Sequence, residues 1–285
     1  MSAPARLLLI ATAVAATLAA CNRDREEPAA TAPAPGAAVT PADAAAPLSY
    51  EAKTPFAEVD LTLPEALKPQ RDLHARVYAE EVRKLRQFVE GAQGERTEAG
   101  FDTAMPPYEK KVDYGLGGET AKLFSLKRTD FDWSGGAHPN TLTTGLLWDK
   151  ALKRQIGFND LFRRDADLTV LDRALCSAVN AAKRARVPDS RTVTLGGGEW
   201  SCPRASTTPF VLAPGSEPGK AAGLIFLIGP YQVGPYAEGA YELAIPASAF
   251  RSLLAVGYAE EFGGQLARTG DVTPGIETAQ SPARN

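Results

Sequence analysis

Residues 108–148 read YEKKVDYGLGG, ETAKLFSLKRTDFDW, SGGAHPN and TLTTGLLW in succession. Over this stretch the apolar residues recur with a period of two, the signature of strands with one buried face. Residues 108–114 form one strand, Gly115, Leu116, Gly117 and Gly118 read as a turn, residues 121–131 form a second strand through Leu123, Phe124 and Leu126, and residues 141–148 form a third. Strands joined by short Gly-rich connections pair as an antiparallel meander. The connection at residues 131–140 is built rather than merely short. Gly135 and Gly136 open backbone angles closed to other residues, and Pro139 fixes the turn that follows. Loops of this kind on rigid strands are where binding or chemistry tends to sit.

Working outward, residues 57–63 alternate with the apolar side chains on odd positions and end at Pro64, which predicts a half-buried strand. An amphipathic helix follows over residues 71–90, with Leu73, Val77, Tyr78, Val82, Leu85, Phe88 and Val89 on one stripe and Gly91 placed to end it. Its opposite face carries Arg76, Glu80, Arg83, Lys84 and Gln87 and reads as solvated. His74, near its start, reads as a surface or boundary residue. A second helix is expected over residues 168–184, capped by Asp165 or Asp167, with Leu168, Leu171, Leu175, Ala178, Val179 and Ala182 buried. Residues 224–228 are a continuous apolar run suited to a central strand, residues 240–245 are a further strand, and Pro246 starts a short helix. The class is α+β: an antiparallel β-sheet meander with helices packed on it.

The ends of the chain carry a different message. Arg6, the apolar run at residues 7–16 and the small residues before Cys21 read as a lipoprotein signal peptide over residues 1–20. Leu18, Ala19, Ala20 and Cys21 look like a bacterial lipobox, with Cys21 lipidated. Acyl chains contribute roughly 0.8 kcal/mol per buried methylene, enough for stable anchoring when more than one chain is attached. Residues 21–54 read as an Ala/Pro-rich tether that cannot bury enough surface to order itself. Extended at about 3.1 Å per residue, it would let the globule stand up to roughly 100 Å from the membrane. Residues 269–285 read as a disordered tail. Two subdomains are expected between these ends, over residues 55–150 and 151–268. Removal of the signal takes away one charged residue, Arg6, and moves the formal net charge from -3 to -4. With no Lys/Arg cluster interleaved with aromatics, nucleic acid is not an expected partner. Of three cysteines, Cys176 and Cys202 remain after Cys21; an even pair in an oxidising compartment reads as a disulfide.

Catalytic signatures are sparse. No paired-histidine zinc motif, Gly-x-Ser-x-Gly elbow or phosphate-binding loop is present, so neither a metal nor a cofactor is expected. Gly196, Gly197 and Gly198 precede no helix start and read as a loop. His138 has the chemistry of a general base, with Asp132 or Ser134 close in sequence, although a turn histidine more often hydrogen-bonds nearby backbone. Trp133, Gly135, Gly136, His138, Tyr231 and Tyr236 are the candidate binding residues. The two tyrosines admit two readings: an exposed amphipathic surface for a protein or glycan, or rings packed inward at a strand crossover.

Three segments taken together resemble a known family. They are Gly135-Gly136-Ala137-His138-Pro139, the stretch from Phe158 to Phe162, and the run from Gly229 through Tyr231, Pro235 and Tyr236 to Gly239. The likeness is to the domain of unknown function at the C-terminus of RsiV-type anti-sigma factors, which many envelope proteins couple to the small N-terminal domain of PdaC-type peptidoglycan deacetylases. It covers residues 56–254. The resemblance implies an α+β fold, a lipid-anchored, periplasm-facing location in the cell envelope, and recognition of a lysozyme-like protein or of peptidoglycan. Neither a sigma-binding segment nor the metal-binding residues of a deacetylase domain is found in the sequence, so binding is the expected activity. The alternative is an envelope hydrolase with His138 as general base.

Overall fold

The computed structural model describes residues 46–100, 102 and 104–275. The expected signal peptide, Cys21, most of the tether and residues 276–285 lie outside these. A first sheet has six strands in sequence order: β1 (Ser49–Lys53), β2 (Ala57–Thr62), β3 (Tyr108–Glu119), β4 (Leu123–Trp133), β5 (Asn140–Asp149) and β6 (Arg154–Ile156). The expected meander is β3 to β5, paired antiparallel, and β6, which the sequence did not suggest, adds a fourth antiparallel strand. β2 and β3, however, run parallel, because helix α1 (Arg71–Glu98) connects them as a crossover. Leu73, Val77, Val82 and Leu85 of α1 bury against Val59, Leu61, Val112, Phe124, Leu126 and Trp148, forming a core on one face of this sheet. Each buried leucine stabilises the fold by about 1.5–3 kcal/mol relative to exposure.

α1 does not stop at Gly91. A Cβ there would meet nothing within 4 Å, so the glycine is not needed for a turn, and buried Ala92 and Arg96 carry the helix on. The Arg96 guanidinium donates to the carbonyls of Phe56, Asp102, Met105 and Pro106, tying the helix end to the loop before β3. His74 is buried rather than superficial. Its Nε2 lies 3.0 Å from the Pro47 carbonyl, and β1 pairs with β2, so the fold begins before the expected end of the tether at residue 54.

The second sheet has the order β10-β9-β8-β7, with β7 (Phe210–Pro214), β8 (Ala221–Ile228), β9 (Tyr241–Pro246) and β10 (Gly270–Asp271) all antiparallel. β8 is the central, doubly covered strand expected from its apolar run. Helix α2 (Thr169–Arg186) packs Leu171, Leu175, Val179 and Ala182 onto this sheet, and Asp167 accepts the Thr169 N–H at 3.0 Å. β10 ends the expectation that the tail begins at residue 269, since Asp271 is buried and paired with Arg186. The short helix expected after Pro246 is two 3-10 turns, Ala247–Ala249 and Arg251–Leu253.

The joint between the sheets corrects the reading of Gly115 to Gly118 as a turn. β3 runs through them to Glu119, with a bulge between Leu116 and Gly118. On the face opposite α1, the outer edge of β7 lies across three central strands. A Cβ on Gly117 would stand 2.6 Å from that of Val211, one on Gly118 would press on Leu212 at 3.0 Å, and one on Gly145 would overlap the Phe210 carbonyl. Between them, Ser125 Oγ accepts the N–H groups of Gly118 at 3.1 Å and Leu212 at 3.0 Å. The exposed amides of an edge strand are thereby covered. Leu123, Leu147 and Ile156 of the first sheet join the second core. The expected boundary at residues 150–151 falls inside the β5–β6 hairpin, and the described residues belong to one compact unit.

The disulfide links Cys176 on α2 to Cys202, with Cα atoms 5.2 Å apart and a sequence separation of 26. Reduction should lower stability by about 3 kcal/mol in the chain-entropy model, and the denatured, unreduced chain should offer neither thiol for labelling. The β7 seat makes a second prediction. Gly145→Ala should destabilise by about 1–3 kcal/mol through overpacking, whereas Gly91→Ala should be neutral or stabilise by up to about 1 kcal/mol. Urea unfolding compares them; indistinguishable midpoints would contradict the seat.

Candidate functional site: an aromatic row between two loops

β4 and β5 stay in register out to Asp132 opposite Asn140, so their hairpin loop projects from the end of the first sheet. Gly135 and Gly136 take φ values of 85° and 102°, where a side chain would be strained. Trp133, half-buried, donates its Nε1–H to the Gly136 carbonyl at 3.3 Å, which closes the loop on itself. His138 is exposed, its Nδ1 3.1 Å from the Pro139 carbonyl.

The β8–β9 connection meets this loop. The rings of His138 and Tyr236 stack with centroids 4.9 Å apart and planes 24° from parallel, and Tyr231 continues the row at 5.3 Å from Tyr236. Such offset aromatic pairs each contribute about 0.5–1.5 kcal/mol beyond area burial. Both tyrosines remain open, with 56% of Tyr231 and 41% of Tyr236 exposed. The rings face outward and are not packed inward at a strand crossover. Tyr231 holds φ at 67°, a conformation a bulky residue adopts only where its surroundings impose it.

Those surroundings are anchored from α2. Buried Lys183 donates to the Val233 carbonyl at 2.7 Å and to Glu238 Oε2 at 2.6 Å, and the Tyr241 hydroxyl donates to the same oxygen at 2.8 Å. Burial first, and then the Glu238 carboxylate, hold the Tyr241 phenol well above its ordinary pKa. Arg186 donates to the carbonyls of Glu238 and Ala240 and pairs with Asp271 at 2.8 Å. A Cβ on Gly234 would stand 2.5 Å from the Glu238 carboxylate, so the Gly-Pro run can close down on its anchor.

Asp132, the carboxylate close to His138 in sequence, and Glu238 of the facing loop are both engaged elsewhere. Asp132 accepts Lys110 Nζ at 3.1 Å and the Ser134 hydroxyl at 3.1 Å, and Glu238 is held by Lys183 and Tyr241. No carboxylate hydrogen-bonds His138 among the described residues. The structure therefore brings His138, Tyr231 and Tyr236 together, places Trp133, Gly135 and Gly136 as the frame of the loop, and turns Asp132 toward Lys110.

A second feature was not expected from sequence. Between α1 and strands β3 to β6 lies a cleft of about 490 Å³. Its floor is Glu81, 3% exposed, which accepts the Tyr114 hydroxyl at 3.0 Å and the Arg128 fork at 3.2 and 3.0 Å. Arg128 also pairs with Asp130 at 2.9 Å, and Asp130 Oδ1 lies 2.8 Å from Lys110 Nζ, outside hydrogen-bond geometry. Burial works against the Lys110 cation, but Asp130 and Asp132 outweigh it and raise its pKa above the ordinary value. The signal was present: Glu81 stands four residues after Val77 and four before Leu85, a carboxylate on an apolar stripe. Arg76, Glu80 and Lys84, read as a merely solvated face, line this cleft.

Among the described residues no group of three His, Cys, Asp or Glu side chains is placed to hold a metal ion, and no helix is long and apolar enough to cross a membrane.

No family model and no curated protein matches the chain. Solved structures do. A DUF3298 family protein from Pseudomonas aeruginosa PAO1 is similar with a TM-score of 0.51 and 15% identity, over 78% of this chain and 99% of that one. A member of the DUF3298 family from Bacteroides fragilis gives a TM-score of 0.46 at 20% identity, over 72% of this chain and 87% of that one. At 15% identity the first likeness is one of architecture: the chain shares the α+β fold of a bacterial DUF3298 protein.

Proposed function

We propose that the chain is a lipid-anchored binding module of the bacterial cell envelope that recognises a lysozyme-like muramidase through the row His138, Tyr236 and Tyr231. The observation that carries this reading is the row itself: three rings, contributed by loops of two different sheets, held in contact yet open to solvent. Rigid aromatic side chains provide contact area at little entropic cost, which is why they dominate binding hot spots. The lipobox at residues 18–21 and the resemblance of residues 56–254 to the RsiV-type domain, with its PdaC-type partner domain, support the envelope location and the class of partner. A peptidoglycan glycan is a second reading, favoured by the outward ring faces of Tyr231 and Tyr236. The hydrolase reading has less support, since His138 is stacked on Tyr236 and hydrogen-bonded to backbone.

Binding of the full chain to lysozyme, and in parallel to isolated peptidoglycan, tests this. Tyr236→Ala and Trp133→Ala should each weaken binding by about 2 kcal/mol or more, roughly thirty-fold, without loss of folding. His138→Ala should matter less, because its ring stacks on Tyr236 and shapes the loop. Wild-type protein that binds neither partner would sink the proposal, and turnover of cell-wall material abolished by His138→Ala would transfer it to the hydrolase. Cys21→Ser should release the protein from the membrane fraction; retention there would contradict the anchor.

A further inference from the structure

The chain enters the fold from the end of the molecule opposite the aromatic row. Ser49 at the start of β1 stands opposite Thr62, and Thr62 opposite Asp113, midway along β3. Lys53 at the end of β1 is in line with Glu58, Glu109 and Trp133, beside the row. β1 therefore runs toward the row, and the residues before it lead away. Pro47 is held there by His74 in the first turn of α1, and Asp72 of the same turn pairs with Lys153 of the β5–β6 turn at 3.0 Å. At about 3.3 Å per residue, the length of β3 sets this end roughly 40 Å from the row.

Two apolar side chains project from this far end. Leu152, in the β5–β6 turn, is 55% exposed. Val256, on the one-turn helix α3 (Val256–Ala259), is 88% exposed, the highest value for a large apolar side chain among the described residues. Neither sits on a loose segment. One buried carboxylate, Asp149, accepts the Leu152 N–H and the Tyr258 hydroxyl, each at 2.8 Å, and so holds both tips. Lys122 of the β3–β4 turn donates to the Gly257 carbonyl at 2.9 Å, and Glu261 accepts the Thr120 hydroxyl and the Lys122 N–H.

We infer that, given the lipid anchor of the proposed function, this end rests on the membrane surface with Leu152 and Val256 set among the lipid headgroups. Only residues 22–45 separate Cys21 from the first described residue, and they join the fold at this end. A connection that short keeps even a weak contact at high effective concentration. Apolar burial drives the contact rather than charge, because Lys150 pairs with Glu119 and Lys153 with Asp72. Resting on this end, the molecule presents its aromatic row away from the membrane, on the side from which a partner approaches.

The lipidated full chain on vesicles of phosphatidylcholine and phosphatidylglycerol tests this, with an environment-sensitive fluorophore on Leu152→Cys, Val256→Cys or Leu142→Cys. Leu142 is the control: it is 48% exposed and lies at the row end of β5. Emission from positions 152 and 256 should move to the blue and be quenched by brominated lipid, while that from 142 does neither. The Cys21→Ser chain lacking residues 1–20, titrated with the same vesicles, reads the contact without the anchor. There Leu152→Asp should raise the lipid concentration needed for half-binding roughly ten-fold or more, the loss of one buried leucine. Three results overturn the inference: no quenching at either tip in both chains, equal quenching at 142, or a blue shift at the tips that lipid does not quench, which assigns them to a second copy of the chain. Loss of the lipidated chain from the vesicles, with the tips still quenched in the chain lacking the anchor, would defeat the anchor and leave the contact standing.

Discussion

The edge of β7, seated on Gly118, Ser125 and Gly145, is the contact on which the rest of the molecule depends. An edge strand has a row of backbone groups with no ladder partner, and burying them without partners is costly. Here one of them is satisfied by a single hydroxyl: Ser125 Oγ takes the Leu212 N–H while also accepting from its own sheet at Gly118. The approach is close enough that two of the three seat residues have no side chain at all. Because β7 can sit there, the second sheet shares core residues with the first, and Leu123, Leu147 and Ile156 look toward α2 rather than α1. The loops at the ends of β4 and β8 are brought to one place by the same arrangement, and the stacking of His138 on Tyr236 follows from it.

Two buried charge networks shape what the fold displays. On α2, Lys183 and Arg186 reach into the β8–β9 connection and hold it by its carbonyls as well as by Glu238. The rigidity of the Tyr231 to Tyr236 run is therefore imposed from beneath, and a positive φ at Tyr231 can be sustained. On the other side, Glu81 and Arg128 form a pair whose burial adds little net stability but whose halves cannot be removed singly without stranding a charge, typically at 3–5 kcal/mol. Both networks spend polar groups on position, one to hold rings out to solvent, the other to aim a guanidinium into a cleft.

The alternating stretches, both long helices, the central strand at residues 224–228 and the disulfide were legible in the chain, because each is a local pattern or a matter of counting. What was not legible depends on contact between distant segments. Gly115 to Gly118 read as a turn because glycine in a sequence marks freedom of the backbone, and nothing local says that another strand will lie on it. Gly91 read as a helix stop for the same reason, although Arg96, one turn further on, has its partners in the loops on either side. His74 read as superficial because the chain that covers it, around Pro47, belongs to a segment whose composition suggests a tether. The candidate loops at residues 131–140 and 229–239 were visible as Gly/Pro-shaped and aromatic, but that they touch was not. Glu81 was the overlooked clue to the cleft, being the one carboxylate set among the apolar positions of α1.

The central claim is that loops from both sheets act as one binding surface. Hydrogen–deuterium exchange of the full chain, free and in complex with lysozyme or peptidoglycan, tests it most directly. The account predicts that amides at residues 134–138 and 231–238 gain protection together, while the outer face of α1 is unchanged. Protection confined to one of the two loops, or appearing only elsewhere on the molecule, would contradict it.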